Sequence, residues 1–303
     1  MRIVSFLPSA TEILYALKVG DSVLGVSHEC DYPPRVRRKP VVMKANLPSK
    51  PLSDRQIDRR VRKALRSGNG LYYIDTPLLE KIKPDLIVTQ KLCDVCAVSS
   101  DAVEEVVRHF SPKPTVFSLH PHSLVGVFDD IVKLGERVGK YGAARRYVTH
   151  LKQRVLRVQG KVKGLKRPRV FSMEWCDPIM NAGHWIPEMV EIAGGVEGLS
   201  EKGEPSKRIP WGEVRRYQPE ILFLMPCGFS MHQTFQRVKH LKQLPGWRDL
   251  PAVRRDQVYC LDGSSYYNRP GPRLIDGLEI MAKLIHPEKF RSLHLKKDAV
   301  RCL

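Results

Sequence analysis

From His122 to about Lys163 the chain carries no proline and no run that reads as a strand. Apolar residues recur there at helical spacing: Leu124, Val127, Phe128, Ile131, Leu134 and Val138, then Tyr147, Leu151, Val155 and Val158. The segment reads as one long helix or two abutting ones, with Gly139–Gly142 as the point of kink or break. On both sides strand and helix patterns alternate. Before it come strands at Arg2–Leu7, Ser22–Val26, Leu86–Thr89 and Thr115–Leu119 and helices at Ser53–Ser67, Leu78–Ile82 and Asp101–Phe110. A further helix opens at Ser9, an expected N-cap with Glu12 in the capping-box position, and stops at Gly20. After it come strands at Arg169–Met173, Ile221–Met225 and Val258–Leu261 and helices at Pro187–Ala193, Trp211–Arg216, Gln233–Leu241 and Pro272–Leu284.

A strandless helical segment between two alternating ones predicts an α/β protein of two Rossmann-like lobes. The expected division is an N-terminal lobe at 1–120, a connecting backbone helix at 121–166, a C-terminal lobe at 167–290 and a poorly ordered basic tail at 291–303. A chain of 303 residues exceeds the usual size of one hydrophobic core, in keeping with two lobes. The halves echo each other: Lys83-Pro84-Asp85-Leu86-Ile87-Val88 resembles Gln218-Pro219-Glu220-Ile221-Leu222-Phe223, and both precede a cysteine loop. A pseudo-symmetric pair with a ligand cleft between the lobes is the expectation.

Four short motifs fall where strands should end: His28-Glu29-Cys30, Cys93-Asp94-Val95-Cys96, Gly183-His184-Trp185 and Pro226-Cys227-Gly228. Ligands of open α/β sheets bind outside the carboxyl ends of the strands, so these loops are read as one site. Their imidazoles and thiols suit a transition metal or a molecule containing one. Candidate metal ligands are therefore His28, Cys30, Cys93, Cys96, His184 and Cys227. Cys93 and Cys96 alone fit zinc, redox chemistry or two buried thiols, because a second Cys-x-x-Cys is absent. His28 fits a metal or cobalt ligand, or a loop histidine bonded to backbone. Gly183 lets a ligand approach His184 closely. Tyr32, Trp175, Trp185, Tyr266 and Tyr267 can offer flat faces, although any one of them can equally be core. Glu29 and Glu174 admit an enzymatic alternative, a carboxylate acting as base beside a metal-bound water. On that reading a zinc- or iron-thiolate protein would use His28, Cys93, Cys96 and Cys227. No nucleophile elbow, phosphate loop or metallohydrolase helix motif accompanies them.

The formal net charge is +19, carried by runs such as Arg35-Val36-Arg37-Arg38-Lys39, Arg59-Arg60-Val61-Arg62-Lys63 and the stretch Lys152–Arg169. Such runs are read as solvated faces, with an anionic ligand or membrane surface as a second reading. No nucleic-acid reading motif accompanies them, which argues against that partner. Seven cysteines, an odd number spread over a long chain, make a poor disulfide framework. No apolar run reaches the length of a membrane span. Arg2–Pro8 is too short for a signal core, so the chain as it stands reads as cytoplasmic, and as periplasmic or extracellular if a leader has been removed.

Arg2–Glu12, Val26-Ser27, Asp31-Tyr32-Pro33-Pro34, Pro84-Asp85-Leu86-Ile87-Val88, the middle helical segment, Pro210-Trp211 and Arg269-Pro270-Gly271-Pro272-Arg273 together resemble the helical-backbone (class III) substrate-binding proteins of bacterial ABC importers, the vitamin B12 (cobalamin)-binding members in particular. The resemblance covers nearly the whole chain. It implies a non-enzymatic binding protein whose ligand is cobalamin, another corrinoid or a related metal chelate, with zinc or iron as further possibilities. It implies that a flat macrocycle would rest on Tyr32, Trp175, Trp185 or Tyr266, with polar contacts from Ser9, Thr11, Glu174 and Arg269. It also implies an ABC permease as partner. Importer-docking members carry an exposed carboxylate on an equivalent helix of each lobe. Glu104 fits the first, whereas the second lobe offers His232 and Gln233 near the matching place.

Overall fold

The computed structural model describes residues 1–45, 52–67, 71–90 and 100–303. The chain divides into two compact units, Met1–Pro121 with Val125–Val148, and His122–Leu124 with Thr149–Leu303.

In the first unit the strands are β1 (Ile3–Ser5), β2 (Val23–Ser27), β3 (Val41–Ala45), β4 (Tyr72–Ile74), β5 (Leu86–Gln90) and β6 (Thr115–Leu119), in the sheet order β4-β3-β2-β1-β5-β6. All neighbours are parallel except β4, which runs antiparallel to β3 at the edge. The helices are α1 (Pro8–Ala16), α2 (Asp54–Ser67), α3 (Thr76–Ile82), α4 (Ser100–Val106) and α5 (Leu124–Arg137). Val4, Phe6, Val42, Met43, Leu79, Ile87, Val103 and Val107 form a buried core, as the near-continuous apolar strands of a parallel sheet require. On α2, Arg59, Arg60, Arg62 and Lys63 are exposed, so this basic run is a solvated face.

The second unit contains α6 (Tyr141–Val162) from Thr149 onward, β7 (Arg169–Cys176), β8 (Ile179–Asn181), α7 (Ile186–Ile192), β9 (Val196–Glu197), α8 (Trp211–Tyr217), β10 (Ile221–Leu224), α9 (Met231–Arg237), α10 (Pro251–Arg254), β11 (Val258–Leu261), α11 (Gly263–Tyr266), α12 (Leu274–Ile285) and β12 (Val300–Cys302). Its sheet order is β12-β11-β10-β7-β8, with β9 also pairing β7. Phe171, Met173, Val214, Leu222, Leu224, Trp247 and Val258 lie in its core. Arg154 on α6 bonds Asp276 at 2.6 Å and Glu279 at 2.7 Å, fixing α6 to α12.

The two α/β sheets agree with the sequence reading. Three local expectations are corrected or decided. First, α1 starts at Pro8, not after a Ser9 cap. Proline lacks only an N–H that the first turn leaves unbonded, and its fixed φ suits that turn, so Ser9 falls inside the helix. Second, residues 122–163, read as one long helix or two abutting ones, form two. Gly139 takes φ +68, a left-handed conformation that ends α5 before α6 begins. Third, the basic tail is not loose. Val300–Cys302 pairs antiparallel with β11, and Ala299 is 1% exposed. The β11 edge satisfies its backbone groups on this strand, which outweighs the polar composition of the tail.

The internal echo proves to be a structural device. Lys83 and Gln218 are both left-handed C-caps, of α3 and α8. In unit 1 the Arg2 amide donates to Asp85 Oδ2 at 2.6 Å, and Asp85 N donates to Arg2 O at 2.8 Å. In unit 2 the Arg169 amide donates to Glu220 Oε2 at 3.1 Å, and Glu220 N donates to Arg169 O at 2.8 Å. Each arginine also bonds the left-handed cap, Arg2 Nε to Lys83 O at 3.1 Å and Arg169 Nε to Gln218 O at 3.0 Å. The acid after the proline thus closes the entry to the first strand of each unit against the strand that follows it.

Replacing Glu220 by Ala, which removes the acceptor for the Arg169 amide, should destabilise unit 2 by about 1–3 kcal/mol. The Gln variant, which keeps an acceptor, should lose less. Urea unfolding of the two variants beside the parent measures both.

Glu197 provides a second test. Burial raises its carboxyl to about 8, while the Ser172 and Leu199 amides pull it down. In the unfolded chain the group ionises near the ordinary value of 4.5. Between those values the folded state holds the extra proton, so this group's contribution to stability falls as pH rises from about 4.5 and the loss is complete above about 8. The unfolding midpoint should therefore drop between pH 5 and pH 8, and Glu197→Gln should flatten that slope; an equal slope in both proteins would contradict the assignment.

Candidate functional site

In each unit the strand order reverses once, between β1 and β5 and between β7 and β10. Loops at the carboxyl ends of such strand pairs are where open α/β sheets bind ligands.

In unit 1 the loop after β1 passes directly into α1. Thr11 is buried, and its hydroxyl bonds Ser5 Oγ at 2.8 Å, Leu7 O at 3.2 Å and Cys30 Sγ at 3.1 Å. Ser9 is likewise buried, and its hydroxyl has no hydrogen-bond partner. Cys30 is buried. His28 Nε2 lies 3.2 Å from Glu29 Oε1, and its Nδ1 lies 3.3 Å from Met43 O. Tyr32 is 42% exposed and presents its ring outward. The loop after β5 holds Cys93 and Cys96, which lie outside the described residues.

Unit 2 is more strongly organised. β7 runs past Met173 to Cys176 and turns back as β8, which carries Glu174 and Trp175 beyond the segment of β7 that pairs with β10. Glu174 accepts from Ser206 Oγ at 2.6 Å, and Ser206 Oγ in turn accepts from the Gly183 amide at 3.1 Å. Burial raises the Glu174 carboxyl, with Ser206 and Gly183 opposing the shift. A Cβ on Gly183 would run into Glu204 O and Ser206 N, so only glycine fits. His184 follows with φ +54, held there by its amide on Glu204 O at 2.6 Å and its carbonyl on Gly203 N at 2.9 Å. Its ring stacks on Trp185 at 5.5 Å and faces His122 at 5.9 Å between centroids. Burial lowers the His184 pKa, and His122 lowers it further.

The loops after the strands are bonded to one another. Cys227 N donates to Glu174 O at 3.0 Å, Ser264 N to Phe229 O at 3.0 Å, and Trp185 Nε1 to Tyr267 O at 2.8 Å. Trp175 stacks on Phe229 with centroids 5.6 Å apart and planes 27° apart, and the Arg237 guanidinium lies 4.3 Å from the Phe229 ring. Both rings are only half-buried, which leaves a flat aromatic surface.

Against the expected set, the structure brings Glu174, Trp175, His184 and Cys227 to adjoining loops of unit 2 and places Arg269 on the loop after α11. Trp185, 3% exposed, and Tyr266, 7% exposed, are core residues that support these loops rather than flat faces open to a ligand. Their indole N–H and edge-on ring contacts are made within the unit. Of the expected thiol cluster, Cys93 and Cys96 lie outside the described residues and Cys30 is bonded to Thr11 in unit 1; among the described residues no group of three or more His, Cys, Asp or Glu is placed to hold a metal ion. Sequence reasoning missed Phe229, Ser206 and His122. His120-Pro121-His122, directly after β6, had the same strand-end grammar as the motifs that were read.

The helices expected to dock a permease differ between the units. α4 carries Glu104, paired with Lys113 at 2.8 Å. α9 carries no carboxylate, and Gln233 closes a capping box with Ser230. No described helix is long and apolar enough to cross a membrane.

Comparison with known proteins gives a consistent set of relatives. An ABC transporter substrate-binding lipoprotein of Bacillus subtilis, YvrC, is 26% identical over 297 residues, 96% of this chain and 81% of its own length. The vitamin B12-binding protein of Vibrio cholerae is 23% identical over 281 residues, 92% of this chain and 86% of its own. Among solved structures, the periplasmic vitamin B12-binding protein BtuF of Vibrio cholerae superposes with a TM-score of 0.68 at 22% identity, over 95% of this chain and 98% of that one. The periplasmic heme-binding protein RhuT of Roseiflexus sp. RS-1 superposes with a TM-score of 0.69 at 20% identity, again over 95% and 98%. The family model for periplasmic binding proteins matches residues 3–264. With its paired α/β sheets and strand-end loops, this chain belongs to the periplasmic binding protein family, whose members are solute-binding proteins and not enzymes.

Proposed function

We propose that the protein binds a metal chelate of the corrinoid type and hands it to the permease of an ABC importer. The observation that carries the choice of ligand is the half-exposed Trp175–Phe229 stack at the β7/β10 reversal, backed by Arg237. A flat aromatic pair with a cation behind it suits a large planar ligand bearing polar substituents. Within unit 1, Tyr32 is an exposed ring after β2. Glu174, Arg269 and the backbone of the Pro226-Cys227-Gly228 loop supply polar groups in unit 2. Ser9 and Thr11, being buried, shape the loop after β1.

The relatives named for vitamin B12 support the corrinoid reading, and a neighbour named for heme binding shares the fold. The periplasmic and lipoprotein relatives support an extracytoplasmic place of work. Glu104 on α4 is the residue proposed to meet the permease; the charge on α9 is not matched to it, so docking would be asymmetric between the units.

Titration with dicyanocobinamide, followed by absorbance, tests the ligand. The parent protein should bind one molecule per chain, and Trp175→Ala should weaken binding by roughly 1–3 kcal/mol, the scale of a buried aromatic contact. Unchanged affinity in the variant would remove the stack from the site, and no binding by the parent would refute the corrinoid reading.

A further inference from the structure

Between Glu136 and Glu174 the chain holds twelve lysines and arginines and no aspartate or glutamate. α6 lies wholly within this stretch. An exposed helix ordinarily balances its cations with acids one turn away, and α6 has none to offer. From Thr149 onward, in unit 2, Arg154 turns inward to Asp276 and Glu279, whereas Lys152, Arg157 and Lys161 are exposed. Lys163 and Lys166, just past the helix, are exposed too. Arg157 and Lys161, four residues apart, are a like-charge pair of the kind that costs a helix stability.

The face is not purely charged. Leu156 projects from it, 63% exposed, with Lys152 one turn before it on the same side. Gly160, one turn after it, has nothing within 4 Å of where a Cβ would stand, so a flat partner can approach closely. The charge continues past the helix. Lys161 Nζ stands 5.0 Å from the centre of the Phe290 ring, which brings the exposed Lys289 and Arg291 to the end of α6. Lys166, Arg169 and Arg255 crowd one carboxylate, Glu220, at 3.5, 3.7 and 3.3 Å, so this corner keeps an excess of positive charge. Arg169 opens β7 and Glu220 precedes β10, which puts the patch at the amino ends of these strands, opposite the strand-end loops of the candidate site.

A cationic helix face with a projecting aliphatic side chain suits the surface of an anionic bilayer, where ammonium and guanidinium groups meet lipid phosphates and the leucine enters the headgroup boundary. A nucleic acid fits less well. Single strands stack their bases on exposed rings, and Phe290, the ring that Lys161 covers, is 4% exposed. We propose that this face of unit 2, formed by Lys152, Leu156, Arg157, Lys161, Lys163 and Lys166, docks on bilayers that contain anionic phospholipid. Held in this way, unit 2 keeps its strand-end loops clear of the lipid. The docking surface does not depend on the identity of the solute.

Co-sedimentation of the untagged full chain with vesicles of phosphatidylcholine and phosphatidylglycerol tests the face without any solute present. The parent should bind these vesicles at low ionic strength, leave vesicles of phosphatidylcholine alone, and be released at high ionic strength. Each cation at an anionic surface raises affinity about fivefold, so Lys152→Glu, Arg157→Glu and Lys163→Glu together should weaken binding at least tenfold, with circular dichroism unchanged. A matched triple on α2, Arg59→Glu, Arg60→Glu and Lys63→Glu, alters the net charge equally and should weaken binding far less. Leu156→Ser, which changes no charge, should weaken it by roughly threefold or more. No binding by the parent, equal losses in the two triples, or unchanged binding in Leu156→Ser would overturn the face as a lipid surface. A short DNA duplex that binds the parent more tightly than the vesicles do, and is lost in the α6 triple, would overturn the choice of lipid.

Discussion

Each unit depends on one closure between two neighbouring strands. A helix ends in a left-handed residue, a proline follows, and the next acidic side chain accepts the amide that begins the unit's first strand. Asp85 does this for Arg2 and Glu220 for Arg169, and both arginines return a bond to the left-handed cap. The proline cannot extend the helix, and the acid satisfies an amide that would otherwise be lost at the sheet margin. The closure sets β5 beside β1 and β10 beside β7, the two places where strand order reverses. Everything at the opposite, carboxyl ends of those strands inherits its position from this pairing.

In unit 2 those ends are locked further. Backbone and indole bonds join the loops after β7, β10 and β11, so Trp175 and Phe229 stand on a framework held by Cys227, Ser264 and Trp185. Preorganisation of this kind lowers the entropy lost when a ligand binds. The fold alone does not choose between corrinoid and heme, since relatives named for either share it. The choice rests on side chains particular to these loops, which is why the aromatic stack carries the argument.

Much of this was legible in the sequence because central parallel strands are short apolar runs bounded by clear turn signals. β1, β5, β6, β10 and β11 were read close to their final bounds, and the echo between Lys83–Val88 and Gln218–Phe223 anticipated the matching closures. The edge strands were not. Tyr72-Tyr73-Ile74 and Val300-Arg301-Cys302 are short and mixed in polarity, and their partners lie far along the chain. The strand-end motifs located the right loops. They could not reveal which side chains would turn inward: Trp185 and Tyr266 became supports, Cys30 became a partner of Thr11, and Phe229 became the half-exposed partner of Trp175. Spacing reports which loop a residue occupies, whereas burial is decided by contacts between loops. The Ser230–Gln233 capping box is a readable signal that starts α9 at Met231, two residues before the sequence reading sets it.

The central claim is that this chain is a receptor for one metal chelate. Native mass spectrometry of the protein equilibrated with equimolar cobinamide and heme tests it directly, because both candidates compete in one sample. The account predicts a single adduct of one metal chelate per chain, with cobinamide dominant. A spectrum showing only the bare chain would contradict it.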